Sequence, residues 1–378
     1  MAAEHTRGPE GAPRSAAGGG DRLFLAGIVA LALAIRLVAA WASGVGAPQE
    51  IRYITIASGI RSGLGFVGLD GRFPDLIQPP VYPLLLAATQ FLTSHSLGAA
   101  RVLSALMGAF LVLPLAAITR RLFDRRTMRR TAWLVAAYPL LVHISSLCMT
   151  EPTFTFFVAM AVLGVVKATH GDREIPNLCL SGVFLGLAFL TRPEGFPDTL
   201  AASALVLYWG WRLQKRPLGR ALATAAIPAA ICLLVAAPYW IWLHGATGRW
   251  MLSPKVALTQ AHQSIMRQGL AEHWTEHYGT RLFYERVKFG LNQQGTDFLS
   301  TPLFRELGLI RGEGERSPLS QGASSQDDAS YLAWIVFRNA RQLYLDTIKY
   351  GLVLPTLLLG FLALGVTSRP WRSGTERF

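Results

Sequence analysis

Three short polar clusters carry the side chains of this sequence that could do chemistry. Pro48-Gln49-Glu50-Ile51-Arg52-Tyr53 follows the first long apolar run. Met149-Thr150-Glu151-Pro152 and Leu190-Thr191-Arg192-Pro193-Glu194-Gly195 fall where later apolar runs meet. A carboxylate at membrane depth is costly unless it serves a site or finds a partner. The planar fork of an arginine suits bidentate contact with a phosphate. Acid and arginine together fit a reaction in which one group takes a proton and another holds an anion. Each residue also has a plainer role. Glu151 and Glu194 would suit the positive ends of helices, Arg192 would snorkel to the interface, and Tyr53 would anchor there. Arg52 would pair with a local acid or a lipid headgroup, and Asp70 and Asp75 fit turns.

The elements that must position these clusters are membrane helices. The chain has 378 residues, 51% hydrophobic and 16% charged, where a soluble chain carries about a quarter charged residues. The net charge of +13 does not point to nucleic acid, because the arginines sit in short blocks between apolar runs rather than on one continuous face. A spanning helix needs about 20 mostly apolar residues. Candidate spans are 22–43, 98–119, 131–149, 152–169, 176–192, 196–212, 221–243 and 347–367. The first is too long for a signal-peptide core and is read as a retained helix. Arg36 within it is expected to face the bundle or snorkel. Cys148, Cys179 and Cys232 have no metal-ligand or disulfide spacing and read as small buried residues.

Alternation of the spans puts four basic blocks on one side: Arg120 to Arg130, Lys167 with Arg173, Arg212 to Arg220, and Arg369 to Arg377. By the positive-inside rule that side is cytoplasmic, along with both termini. The three polar clusters then share the outer face with two large segments, 44–97 and 244–346. Within the first, residues 50–61 have helical spacing that could rest on the membrane. A glycine-rich loop follows, and Pro79-Pro80 suits the entry of a second interfacial helix over Val81–Phe91. His273 and His277 stand four apart, but the acid between them is misplaced for a His-Glu-x-x-His zinc site. The stretch is read instead as an amphipathic outer helix, whose Trp274, Tyr278, Phe283 and Tyr284 would line an acceptor groove or lie on the membrane. No metal site is assigned, and the sequence leaves the need for a divalent metal open.

A series of ordered motifs resembles a known family. An acidic pair with Arg-Tyr-x-x-x-Ala matches Gln49 to Ala57, and Gly-x-Gly-Phe matches Gly63 to Phe66. Pro-Pro-x-Tyr-Pro-Leu-Leu-Leu-Ala matches residues 79–87, Arg-x-x-Ser-Ala-x-x-Gly matches Arg101 to Gly108, and Arg-Arg-Leu-Phe matches residues 120–123. Thr-Glu-Pro falls at 150–152, and Gly-Leu-Ala-x-Leu-Thr-Arg-Pro-Glu-Gly at 186–195. Residues 247–255 resemble a segment after the seventh span. In order over roughly residues 22–255, these resemble the lipid-linked-sugar glycosyltransferases of the GT-C fold, nearest the protein mannosyltransferase and aminoarabinose transferase branch.

The resemblance implies an all-α polytopic membrane protein, a GT-C-like helix bundle with outer-face loops and interfacial helices. A disordered cytoplasmic tail over 1–21 would precede a core at 22–255. An outer-face region at 256–346, with a flexible insert at 312–330, and a last span with its tail at 347–378 would follow. Relatives usually continue through more spans, so a compact, truncated or split member is expected. The donor would be a polyprenyl-phosphate-linked sugar, and the acceptor a lipid, glycan or protein. The family's catalytic acid begins the first outer loop as Asp, where this chain has Gln49. A glutamine cannot act as a base, so Glu50 is expected to accept the acceptor's proton, with Glu151 orienting the acceptor or supporting Glu50. Arg192 would neutralise the departing phosphate and attack from the opposite face would invert the anomeric centre. Arg52, Tyr53, Gln78 and Tyr82 join the expected substrate contacts. A non-catalytic component that binds or flips lipid-linked sugars is the rival reading.

Overall fold

The computed structural model describes residues 18–43, 48–67, 75–76, 78–91, 96–248 and 250–254. The expected outer region 256–346, its insert, the His273–His277 pair and the last span lie outside the described residues. Those residues form eleven α-helices and no strand: α1 Gly18–Ala42, α2 Pro48–Arg61, α3 Val81–Gln90, α4 Ser96–Phe110, α5 Val112–Leu122, α6 Arg125–Ala137, α7 Pro139–Ser145, α8 Glu151–Thr169, α9 Glu174–Phe189, α10 Gly195–Tyr208 and α11 Leu218–Thr247. Among them α1, the near-continuous α4–α5 stretch Leu97–Leu122, α8 and α11 are long and apolar enough to cross a membrane.

The expected span 131–149 is the one the structure breaks. Tyr138 is extended, and Pro139 starts a second, seven-residue helix. Proline has no amide hydrogen, so the Val135 carbonyl loses its donor four residues on. Arg36 supplies the replacement. Its guanidinium is fully buried and donates to the carbonyls of Val135 (3.0 Å) and Ala136 (2.9 Å), and to Ala32 in its own helix (3.0 Å). Of the two fates expected for this arginine, it faces the bundle. The spans expected at 176–192 and 196–212 also begin and end differently. α9 stops at Phe189, and α10 continues into a wider π-helical turn at Trp209–Leu213.

Two halves meet along α8. In one, α1 packs on α4, α6 and α7, and α5 lies against α6 and α8; in the other, α9 lies against α8 and α11. Close approach of α9 to α11 requires glycine. A Cβ on Gly182 would fall 2.6 Å from Ile231 Cβ, and one on Gly186 would fall 2.6 Å from Val235 Cβ. This small-xxx-small spacing lets backbones approach in lipid, where burial of apolar surface alone does not favour helix pairing.

Ion pairs tie the basic loops together at one end. Asp21 accepts from Arg125 (2.6 Å) and Arg129 (3.3 Å), joining the start of α1 to α6. Arg121 pairs with Asp172 beyond α8, and Arg216 donates to Glu174 at the start of α9 (2.9 Å). The start of α1 and the loops 120–125, 170–173 and 214–217 therefore share an end, and the three polar clusters lie at the other.

Candidate active site

The site is assembled around residues 146–150, the short link between α7 and α8, and Glu151, which opens α8. Glu50 lies in the first turn of α2 and is 3% exposed. Its Oε1 accepts the backbone N–H of Cys148 at 2.7 Å, and its Oε2 lies 3.7 Å from Arg101 Nη2. Arg101 also donates to the carbonyls of Ala40 and Ser43 at 3.0 Å each, where α1 ends. Below the link, Tyr82 hydroxyl contacts Ser104 Oγ (3.2 Å) and Cys148 Sγ (3.3 Å). Ser104 bonds both the carbonyl and the amide of Met149. The inner side of the link is thus fixed, and Thr150 and Glu151 are left for the outer side.

Arg192 meets them there. α9 ends in a tight turn in which the Arg192 amide bonds the Ala188 carbonyl (2.8 Å) and the Gly195 amide bonds the Arg192 carbonyl (3.0 Å). The turn swings the guanidinium onto Glu151, Glu194 Oε1 (3.1 Å) and Thr150 Oγ1 (3.4 Å). Its side chain is 22% exposed and that of Glu151 34%. Burial opposes the Arg192 charge, but the Glu151 and Glu194 carboxylates outweigh it and hold the guanidinium above its ordinary range. Neither Thr150 nor Glu194 makes a side-chain capping bond to its helix. Glu151 and Glu194 both spend a carboxylate oxygen on the guanidinium.

Tyr53 and Gln78 extend the cluster. Tyr53 hydroxyl donates to Gln78 Oε1 at 3.1 Å, and its ring packs edge-on to Tyr82 at 5.0 Å. Burial pushes the phenol pKa up and the Glu151 charge pushes the same way, while a Thr150 hydrogen bond and the Arg192 charge oppose them. Its hydroxyl therefore stays protonated, as a donor beside Glu151 and Arg192.

The other expected contacts point elsewhere. Arg52 is buried and paired with fully buried Asp75, its Nε 2.6 Å from Oδ2. Asp75 also accepts the Gln78 amide (3.0 Å), so the turn role read for it is joined by a buried ion pair. Tyr82 is fully buried under the link. The Gln49 side chain lies outside the described residues. Arg101, Ser104 and the Cys148 amide are the parts that sequence reasoning missed. Arg101 and Ser104 stood in a recognised motif, but nothing in their spacing showed that they face the chain at 148. Among the described residues no group of three or more His, Cys, Asp or Glu side chains is placed to hold a metal ion.

The family model described as dolichyl-phosphate-mannose-protein mannosyltransferase matches residues 77–242, which include Gln78, Tyr82, Arg101, Glu151 and Arg192. Over this stretch the chain is similar to that family. Among curated relatives, the undecaprenyl phosphate-alpha-4-amino-4-deoxy-L-arabinose arabinosyl transferases of Pseudomonas paraeruginosa and Pseudomonas aeruginosa are each 28% identical over 207 residues. The match takes in 53% of this chain and 37% of theirs. The chain therefore spans well under half the length of these relatives. Two solved structures share the fold at a TM-score of 0.50. ArnT from Cupriavidus metallidurans, bound to undecaprenyl phosphate, is 20% identical, over 62% of this chain and 43% of that one. The oligosaccharyltransferase AglB from Archaeoglobus fulgidus, in complex with an inhibitory peptide and a dolichol-phosphate, is 19% identical, over 73% and 35%. The fold is that of the GT-C helical membrane proteins, as the sequence motifs implied.

Proposed function

We propose that the protein is a multi-pass membrane glycosyltransferase that moves a sugar from a polyprenyl-phosphate donor to an acceptor hydroxyl at the outer face. The observation that carries the reading is the half-exposed Glu151–Arg192–Glu194 cluster, at the end of the bundle opposite the tied basic loops. By the positive-inside rule those loops, and the start of α1 with them, are cytoplasmic. The cluster then sits at outer-leaflet depth, where a carrier lipid presents its phosphate. Similarity to the mannosyltransferase family model and to the undecaprenyl-phosphate arabinosyl transferases supports the donor class.

Arg192 would hold the donor phosphate. Its fork is already desolvated and spread between two carboxylates, and a phosphate oxygen would compete for the same nitrogens. The acceptor oxygen attacks the anomeric carbon from the face opposite the phosphate. The carbon–oxygen bond to phosphate breaks with its electron pair, and the phosphate leaves as an anion on Arg192. The acceptor proton passes to a carboxylate, and the configuration inverts. The first-loop acid expected for that step, Glu50, is closed off by the Cys148 amide and Arg101. Glu151 is half-buried, lies on Arg192 and would be released from it when phosphate arrives. The base is assigned to Glu151, a step contributing about two to four orders of magnitude in rate.

The test is sugar transfer by the full chain in proteoliposomes, from undecaprenyl-phosphate-linked sugars beginning with 4-amino-4-deoxy-L-arabinose. Wild type should transfer, and Glu151→Gln should lose at least about 100-fold in kcat while retaining donor binding. Wild type that binds the donor and transfers to no hydroxyl acceptor would instead favour the binding or flipping component.

A further inference from the structure

We propose that Glu50 is a positioning residue: its carboxylate anchors the 148–151 link through the Cys148 amide and so sets Glu151 against Arg192. The proposal rests on the transferase reading and reassigns the first-loop acid within it. Three observations carry it. Glu50 is buried, with one oxygen on the Cys148 N–H at 2.7 Å. Its other oxygen has no hydrogen-bond donor among the described residues and lies 3.7 Å from Arg101. Arg101 in turn is held by the carbonyls that end α1. One carboxylate thus connects the first span, the first interfacial helix, α4 and the link. Cys148 is three residues from Glu151, too short a tether to move without moving the Glu151 carboxylate. No reacting atom needs to touch Glu50 for it to matter.

The chemistry of the contact separates anchor from base. An amide oxygen accepts from a backbone N–H as a carboxylate oxygen does, so Glu50→Gln keeps the anchor and removes any base. Glu50→Ala removes both. A shift of about 1 Å at a reacting group costs on the order of 100-fold, so Glu50→Ala should lower kcat by about that factor with donor KM nearly unchanged. Glu50→Gln should restore kcat to within a few-fold of wild type and keep the wild-type pH profile.

The experiment pairs transfer kinetics with hydrogen exchange of the peptide containing Cys148, measured on the purified full chain. The second readout needs no catalysis. Faster Cys148 exchange in Glu50→Ala, with exchange and transfer both normal in Glu50→Gln, is the expected result. Glu50→Gln as inactive as Glu50→Ala, with wild-type exchange and a lost pH limb, would make Glu50 the base and overturn the proposal while leaving the transferase standing. Unchanged exchange in Glu50→Ala would also overturn it. If wild type transfers nothing but the exchange pattern holds, the transferase reading fails and the anchor is supported. Should Glu50→Ala not fold, Ser104→Ala loosens the same link at Met149, and should reproduce its faster exchange and lower kcat.

Discussion

Replacing Arg192 by lysine keeps the charge and removes the fork. In the structure Nη1 serves Glu151 and Thr150 while Nη2 serves Glu194, so the two nitrogens work in different directions. A lysine ammonium is a compact point charge and reaches one of those directions well. The loss is therefore about one charge-assisted contact to the departing phosphate, roughly 1.5–3 kcal/mol. At 1.36 kcal/mol per decade this is about a 10- to 150-fold fall in kcat/KM. The side chain is mostly buried, so solvent screening trims the figure only modestly. Arg192→Ala leaves Glu151 and Glu194 without the cation, and should fall further, by about 150-fold to 25,000-fold if two such contacts go. The assay is initial-rate transfer from lipid-linked donor in proteoliposomes, with thermal unfolding measured beside it to separate activity from stability. Arg192→Lys within twofold of wild type would refute the reasoning, because a point charge would then suffice and the paired geometry would have no catalytic meaning.

Removing one partner of the buried Arg52–Asp75 pair, by Arg52→Ala or Asp75→Asn, should destabilise the detergent-solubilised chain by about 3–5 kcal/mol; thermal unfolding checks this, and a double replacement with apolar residues should recover part of it. Arg36→Met strands the Val135 and Ala136 carbonyls at about 1–3 kcal/mol each and should lower the unfolding temperature without altering donor KM. Burial pushes the Cys148 thiol up to about 12, with the Tyr82 hydrogen bond partly opposing. It should resist maleimide labelling at neutral pH, as mass spectrometry would show. The raised value implies stability that is full below the ordinary thiol range near 8.5 and is lost as pH rises toward 12. An alkaline unfolding series, with Cys148→Ser flattening that slope, tests the sign.

Helix existence was legible in the sequence because apolar length in lipid leaves the backbone few alternatives. The seven spans expected within the described residues coincide with helices, 131–149 with two separated by a break, and the stretches read as interfacial at 50–61 and 81–91 fall on α2 and α3. The break at Tyr138–Pro139 was visible as a proline but not as an end, since a long apolar run around it read as one span. Arg36 showed the same limit. Its burial could be expected, while the carbonyls it serves lie about a hundred residues away and no local pattern names them. Near the proposed site, Glu151 and Arg192 stood out in the sequence as charge beside apolar runs, and the structure pairs them. The fates of Glu50, Arg52 and Tyr82 were not legible, because each depends on which buried partner lies opposite, and that is decided by packing rather than by residue type.

The first amide of α3, at Val81, donates to the Leu190 carbonyl at 3.0 Å, just where α9 gives way to the turn bearing Arg192. Backbone atoms alone make this stitch, so mutational drift at either position leaves it in place. Proline at 81 is the exception, since it deletes the donor. A saturation screen should find position 81 permissive to other apolar residues and closed to proline, marking a joint that heredity can redecorate but hardly unfasten.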